Sequence, residues 1–442
     1  FIFKSIQYVK ICSLYGAGFW YIPGTDTCLK IGGFMRYEID MNASGSFSPY
    51  LTGANARFTR SDTRDTNQRT RGVISFDVRS QTAYGTLRSY IRIGAQWTSG
   101  DEYTSTPGNA FIDRGFIQLA GFTFGRTQSF FDIYNPAPTE SYQTNFIGSA
   151  SGGSGITVAG YTAQFGNGIS ASIAAEDRGG KAIFNTGGAA GAVGTTLPNS
   201  QQGGFGNDFP DVVANLRVDQ AWGSAGISGA FHDVRPTYYG TLFTTGHPDD
   251  KAGFAVGAGA VFNLPMLGKG DHIGVEVDYA KGAGQYTNYS LTTSGGVGVF
   301  DGQSVALGWN PDAVFAPGGQ LELTKSWAVV AGYTHHWLPN LQSSIYGGYL
   351  KVEPSTTMCL GAAGIVAPVC DPDWSLWQVG SRTIWNPVEN LDVGLEVMYS
   401  HVRTAFGGGV TTAAVGAHPA GATIDDNNVW SGIFRVQRNF WP

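Results

Sequence analysis

The residues best suited to do chemistry in this sequence are arginines and carboxylates that occupy alternate positions of short apolar stretches. Arg36 and Glu38 lie in one such stretch, and Asp77 and Arg79 lie in the next. Opposite charges that face each other across water create a local field, which orders the water and favours one sign of ion. The candidates for the narrowest point of such a filter are Arg36, Arg79, Arg88, Arg92, Asp132 and Glu140.

Further carboxylates are expected on the same water-facing surface. They are Glu38, Asp77, Glu276, Asp278, Asp392 and Glu396. The sequence has no nucleophile elbow and no metal-ligand spacing of His and Cys. We therefore expect no enzymatic activity, no bound metal and no cofactor.

A two-residue period in hydrophobicity positions these charges. In Leu391–Tyr399 the odd-numbered residues are apolar, whereas most even-numbered residues are polar or small. Ile273–Tyr279 repeats the pattern, with carboxylates on the polar side. Because successive side chains of a strand point to opposite faces, each stretch is a strand with one apolar and one charged face.

Sixteen segments show this alternation. They span 29–41, 70–80, 85–98, 110–120, 121–127, 155–165, 168–177, 211–220, 223–234, 251–262, 271–281, 323–337, 341–352, 374–386, 391–403 and 428–440. A charge that faces lipid at the bilayer midplane costs about 2–4 kcal/mol, so the charged faces must meet water. The sequence thus predicts an all-β protein, a 16-stranded antiparallel transmembrane β-barrel.

The connections between the segments alternate in length. Short ones, such as Gly166–Gly168 and Pro339–Asn340, alternate with long ones, such as Asp177–Pro210 and Gly282–Glu322. This alternation is typical of a membrane barrel, which has tight turns on the periplasmic side and long loops outside. An even number of strands puts both termini on the same side, and with the short turns on that side both ends are expected in the periplasm.

The composition excludes other classes of protein. Charged residues make up only 14% of 442 residues, and the mean hydropathy is −0.08. No stretch has the ~20 consecutive apolar residues of a membrane helix. The net charge of −6 argues against a nucleic-acid partner. Residues 1–4 lack the features of a signal peptide, so an exported chain would be the mature form.

Four cysteines form two local pairs, Cys12 with Cys28 and Cys359 with Cys370. Closure of short loops by disulfides suits an oxidising compartment such as the periplasm. The alternative, four buried thiols, stays open. We expect residues 1–28 to form an N-terminal periplasmic segment and residues 29–440 to form the barrel.

The stretch from Tyr8 to Gly33, which contains Tyr15-Gly16-Ala17-Gly18-Phe19-Trp20-Tyr21-Ile22-Pro23-Gly24, resembles the start of alphaproteobacterial general porins. The close, Trp430–Phe440, resembles their last strand, and Ile117–Arg126 resembles the turn before their third loop. The resemblance implies an outer-membrane diffusion channel that assembles as a homotrimer. It also implies a third external loop, here about 128–154, that folds into the lumen and narrows it.

The expected location is the outer membrane of a Gram-negative cell, crossed many times, with both termini in the periplasm. The expected partners are outer-membrane lipid and lipopolysaccharide, two further copies of the chain, and small hydrophilic solutes and ions.

Three other interpretations of the sequence remain open. The aromatic residues Tyr90, Phe130, Phe131 and Tyr134 could form a sugar path in a substrate-selective channel. The long loops could instead serve an adhesive or envelope-anchoring barrel. A secreted soluble β-sandwich would stay in solution without detergent.

Overall fold

Sixteen long strands dominate the chain. In chain order they are β1 (Cys28–Met41), β2 (Thr66–Thr82), β3 (Gly85–Thr98), β4 (Asn109–Leu119), β5 (Phe122–Thr127), β6 (Ile156–Gly166), β7 (Ile169–Asp177), β8 (Asp211–Gln220), β9 (Gly223–Val234), β10 (Lys251–Asn263), β11 (His272–Lys281), β12 (Lys325–Leu338), β13 (Leu341–Glu353), β14 (Trp374–Trp385), β15 (Leu391–Arg403) and β16 (Asn427–Asn439). The structure is a computed structural model. It describes residues 10–42, 66–99, 109–143, 147–149, 151, 155–178, 180–185, 209–236, 247, 249–288, 296–301, 304–315, 320–360, 371–407, 421 and 423–440.

The strands close into a barrel. Each strand pairs antiparallel with the next one along the chain. The ring closes where β1 pairs with β16, from Phe34 opposite Asn439 to Met41 opposite Gly432. Closure leaves no unpaired edge, which is what a sheet in lipid requires. The predicted 16-stranded antiparallel barrel is confirmed.

Short and long connections lie at opposite ends of the barrel. The turns after β6 and β8 contain only residues 167–168 and 221–222, whereas the connection after β11 runs from 282 to 324. Gly168 has a φ of +74°, and a Cβ there would collide with the carbonyl oxygen of Asp219 in the neighbouring strand. The tight turn therefore requires glycine at this position.

The second strand is longer than the sequence predicted. Alternation indicated a start near residue 70, but β2 begins at Thr66, which pairs with Met41. The additional residues, 66–69, are polar, and Asn67 donates its backbone N–H to the Asp40 carboxylate at 2.9 Å. Because these residues carry no apolar side chain on either face, hydrophobic alternation cannot detect them.

The two faces of the strands differ in chemistry, as alternation predicted. Apolar side chains are exposed on one face, including Met35 at 51% and Ile173 at 56%. Charged side chains are buried on the other, including Glu38 and Glu396 at 0%. This is the reverse of a soluble protein, in which exposed side chains are mainly polar.

A charge on the apolar face should therefore be costly. We expect Ile173→Lys to lower the free energy of unfolding by about 2–4 kcal/mol, because the ammonium would face hydrocarbon. The neighbouring Ser172→Lys is the matched control and should cost about 1 kcal/mol, the value of its lost hydrogen bond to Thr162. Urea unfolding in lipid vesicles measures both. Equal costs would contradict the assignment of the two faces.

The long-loop end carries additional structure. Gly296–Asp301, Ser304–Trp309 and Thr423–Ile424 form one three-stranded sheet, and Ile183–Asn185, Ala313–Phe315 and Leu321–Leu323 form another. Val305, Leu307 and Ile424 pack in a buried apolar cluster with side chains of β12 and β13. Part of the loop chain thus forms folded structure that packs against the barrel wall.

The N-terminal segment is joined to the barrel at the short-turn end. Cys12 forms a disulfide with Cys28, the first residue of β1, so this predicted pair is confirmed. Cys359 is also disulfide-bonded, whereas Cys370, its predicted partner, lies outside the described residues.

Candidate functional site

The charges of the barrel wall are divided between its two sides. Strands β1–β5 carry nine Lys or Arg residues against four Asp or Glu residues. Strands β7–β11 carry seven Asp or Glu residues against three Lys or Arg residues. We call the first group the basic wall and the second the acidic wall. A field therefore runs across the barrel.

Glu38 is the centre of the basic wall. Its carboxylate accepts hydrogen bonds from Arg69, at 2.7 and 2.9 Å, and from Arg435 of β16. The Arg36 guanidinium lies 3.7 Å away. One buried carboxylate is thus close to three guanidinium groups. Glu38 and these three arginines together carry a surplus of positive charge.

The other predicted arginines have carboxylates of their own. Arg79 and Arg88 both bind Asp77, at 2.7 and 2.9 Å. Arg92 pairs with Asp113 at 3.1 Å. The structure therefore brings Arg36 together with Glu38, but it groups Arg79 and Arg88 around Asp77, close to the short-turn end of β2 and β3.

Wall carboxylates bind the backbone of the segment that follows β5. Glu176 of β7 accepts the Phe130 N–H at 2.6 Å, and Glu276 of β11 accepts the N–H groups of Ile133, at 3.0 Å, and Tyr134. Carboxylates are strong acceptors, and a buried N–H requires a partner.

The same segment is held on a third strand by Glu396 of β15. This carboxylate accepts the N–H groups of Tyr142 and Gln143 and the hydroxyl of Ser141. Residues 130–143 are therefore bound to strands far apart around the barrel.

The two acidic candidates of this segment have partners other than the predicted arginines. Asp132 lies 3.5 Å from Arg178 and accepts hydrogen bonds from Ser149 and Ser151. Glu140 lies 2.9 Å from Nε2 of His272. Their role at a constriction, like that of the four arginines, stays a prediction.

Two further predicted carboxylates differ in surroundings. Asp278 is buried and accepts the Ser149 N–H at 3.3 Å, whereas Asp392 binds the amides of Asn386 and Asn439 near the short turns. Within the described ranges, no three His, Cys, Asp or Glu side chains are grouped to hold a metal ion.

Sequence reasoning missed four cationic residues of this region, Arg69, Arg71, Arg382 and Arg435. The guanidinium carbons of Arg435 and Arg382 lie 3.7 and 4.7 Å from the ring centre of Tyr142. Burial raises the pKa of Tyr142, and the two guanidinium groups oppose that rise. Arg69 and Arg71 are separated from Asp77 and Arg79 by an even number of positions, so alternation assigns all four to the same face of β2. This was the signal available in the sequence.

Asp271, in the turn between β10 and β11, is the centre of a second group of hydrogen-bonded residues, formed with Tyr333, His335 and His336 of β12. Burial alone would raise the pKa of Asp271. Hydrogen bonds from the His335 ring at 2.6 Å, the His336 N–H at 2.8 Å and the Tyr333 hydroxyl at 3.0 Å lower it to about 2.

This group of residues predicts a pH dependence. Because the folded pKa lies below the unfolded value of about 3.9, the carboxylate stabilises the protein fully above pH ~4 and loses that effect toward pH ~2. We expect Asp271→Asn to be less stable than wild type at pH 7, with a difference that shrinks between pH 4 and pH 2. Urea unfolding across this pH range measures it. A constant difference would contradict the role of the Asp271 charge.

The sequence profile of the porin subfamily matches residues 3–433, which is nearly the whole barrel. The chain belongs to the porin subfamily. Porin Omp2b of Brucella canis is 30% identical over 227 residues, which cover 50% of this chain and 56% of that protein. Porin Omp2a of Brucella ovis is 29% identical over 237 residues, or 60% of its length. The alignments thus span little more than half of these relatives.

Solved structures share the fold of this porin. The outer membrane channel DcaP of Acinetobacter baumannii superposes with a TM-score of 0.62 at 18% identity, over 95% of this chain and 99% of that one. A loop-deletion form of OmpT of Vibrio cholerae gives 0.50 at 10% identity, over 94% and 100%.

The family and the closed barrel locate this porin in the outer membrane. The family also suggests a channel rather than an enzyme. The resemblance noted at the two ends of the sequence is confirmed by the family match. Among the described residues, no helix is both long enough and apolar enough to cross a bilayer.

Proposed function

We propose that the protein is a diffusion porin, whose water-filled channel lets small hydrophilic solutes and ions cross the outer membrane passively. The observation that carries this proposal is a closed ring of sixteen strands with apolar side chains exposed on one face and charged ones on the other. About eight strands leave an interior that side chains fill, whereas sixteen leave an aqueous lumen. The charged face, with Glu38, Asp77, Glu276, Asp278, Asp392 and Glu396, then lines that lumen.

In this proposal the loop that narrows the channel is 128–154, of which 144–146, 150 and 152–154 lie outside the described residues. Glu276 and Glu396, which lie on strands β11 and β15, bind the backbone of this loop. Gly274 and Gly394 support the same arrangement, because a Cβ at either position would collide with the ring of Tyr134 or Tyr142. Loop and wall are thus matched in shape where they touch.

The channel assembles as a homotrimer in the outer membrane, in contact with lipid and lipopolysaccharide. The membership of the porin subfamily supports the trimer, and the exposed apolar face of the strands supports the lipid contact. Both termini and the segment 1–28, of which 1–9 lie outside the described residues, then lie in the periplasm, because β1 begins and β16 ends at the short-turn end. Light scattering in detergent tests the trimer, and a monomeric mass would contradict it.

A sugar-selective channel has little support. Phe131 is 0% exposed and Tyr134 is 6% exposed, so a passing solute cannot stack on either ring. Tyr90 is stacked on Phe116 with ring centres 5.3 Å apart. Two of the four predicted aromatics, Phe131 and Tyr134, are thus taken up by packing within the protein, whereas Tyr90 and Phe130 are half-buried.

Planar-bilayer recording of the purified, folded protein tests the proposed channel. We expect stepwise increases in current that scale with salt concentration, because ions would move through water. Liposome swelling should show uptake of small sugars and exclusion of large ones. A folded protein that inserts into bilayers without any step in conductance would overturn the proposal.

A further inference from the structure

The basic wall contains three pairs of arginines that lie directly opposite each other on neighbouring strands. The pairs are Arg79 with Arg88, Arg92 with Arg114, and Arg36 with Arg71. Like charges in this position destabilise a sheet, so each pair calls for a compensating negative charge.

Two of the pairs have such a charge within the protein. Asp77 binds both Arg79 and Arg88, and Asp113 binds Arg92 at 3.1 Å. The pair of Arg36 and Arg71 differs, and we call it the open pair. Arg36 Nε donates to the neutral amide oxygen of Gln437 at 2.6 Å.

Arg71 is likewise held by a neutral group. Its Nε donates to the amide oxygen of Gln96 at 2.9 Å, and its Nη2 donates to the same oxygen. The only carboxylate within 4 Å of either member among the described residues is Glu38, at 3.7 Å from Arg36. That carboxylate already binds Arg69 and Arg435.

The geometry points to a missing anion, and we propose that the open pair binds the oxyanion group of small anionic solutes, either a carboxylate or a phosphate. The inference rests on the proposed channel and names the class of solute that the channel favours. The protein would prefer anions despite its net charge of −6.

The surroundings of the pair suit such a group. The Arg36 and Arg71 guanidinium carbons lie 4.4 and 4.9 Å from the ring centres of Phe34 and Phe111. A ring over one face fixes the plane of a guanidinium, and the N–H groups that do not bind Gln437 or Gln96 stay available to an oxyanion. The Arg36 side chain keeps 14% of its surface exposed, and Arg71 is partly exposed.

The basic wall makes the open pair more favourable for an anion. Arg69 and Arg435 lie beyond Glu38, and Arg92 contacts the same Phe34 ring, at 5.8 Å. Glu38 offsets only one of the two positive charges of Arg69 and Arg435, so these residues add positive potential near the open pair, whereas Asp113 offsets the charge of Arg92. Arg forks bind carboxylate and phosphate in two-point fashion, so either group fits the site.

The first measurement is the reversal potential in a bilayer under a KCl gradient. We expect wild type to favour chloride, and the double variant Arg36→Gln with Arg71→Gln to lose most of that preference. The charge-matched control is Arg217→Gln with Lys30→Gln, which removes two positive charges from the charged face of β8 and β1, nearer the short-turn end. It should change the ratio of permeabilities much less.

The second measurement is block of the chloride current by succinate and by phosphate, with neutral succinamide as the matched probe. We expect succinate and phosphate to bind and succinamide not to bind. In the double variant the binding of both anions should weaken by about tenfold or more. Arg36→Lys with Arg71→Lys keeps the charge but loses the forks, so it should retain chloride preference while succinate binding weakens.

The outcomes separate the two proposals. Absence of conductance would overturn the channel itself. A conducting wild type that favours potassium, or whose block by succinate and phosphate persists in the double variant, would overturn the anion site alone.

Discussion

Replacement of Glu38 by glutamine is expected to lower the free energy of unfolding by about 3–5 kcal/mol, the typical cost of leaving buried charges without their partner. The carboxylate is 0% exposed and binds Arg69 and Arg435. Glutamine has the same shape but no charge, so the guanidinium groups would repel each other without a negative charge between them. Urea unfolding in lipid vesicles gives the free energy.

The matched control is Asp392→Asn. Asp392 accepts hydrogen bonds from two neutral amides, those of Asn386 and Asn439. Asparagine keeps one acceptor oxygen and leaves no charged group without its partner, so this replacement should cost only about 1.5 kcal/mol, the lower value for one hydrogen bond to a charged group. If the Glu38 variant were no less stable than this control, the basic wall would not depend on that carboxylate.

Replacement of Glu396 by alanine is expected to release the proposed constriction loop. The backbone N–H of Tyr142 would lose its acceptor, and the Gln143 N–H and the Ser141 hydroxyl would keep only the hydrogen bonds within the segment, at 3.1 Å. Each buried group left unsatisfied costs about 1–3 kcal/mol, which exceeds what one side-chain contact supplies. Single-channel current should therefore become larger on average and fluctuate between levels.

Glu353→Ala serves as the control for that variant. Glu353 forms a partly exposed ion pair with Lys351 at 2.6 Å, and such pairs contribute about 0–1 kcal/mol. Its channels should match wild type in size and noise. A Glu396 variant with wild-type current would mean that the segment after β5 does not limit flow.

The barrel could be predicted from the sequence because lipid and water impose a two-residue period that each strand repeats. Segments such as 391–403 and 223–234 were predicted at their observed bounds, since apolar residues mark one face along their whole length. The start of β2 was missed because Thr66–Arg69 lies beyond the alternating region and carries no apolar face.

The site was predictable only in part. Alternation assigns Arg36 and Glu38 to one face, but it does not say which strands become neighbours around the ring. Arg435 reaches Glu38 because β16 closes on β1, and 397 positions separate the two residues. Glu140 binds His272 for a similar reason, since the loop after β5 contacts β11. Such contacts depend on closure and loop path, which local pattern cannot supply.

The central claim is that alternate residues of each strand meet water inside the barrel and lipid outside it. Arg92→Cys and Ile91→Cys test this on neighbouring residues of β3, with a charged, membrane-impermeant thiol reagent added during bilayer recording. We predict that the thiol at position 92 reacts and reduces the current in steps, whereas the thiol at position 91 stays unmodified. Reaction at position 91 with none at position 92 would contradict the account.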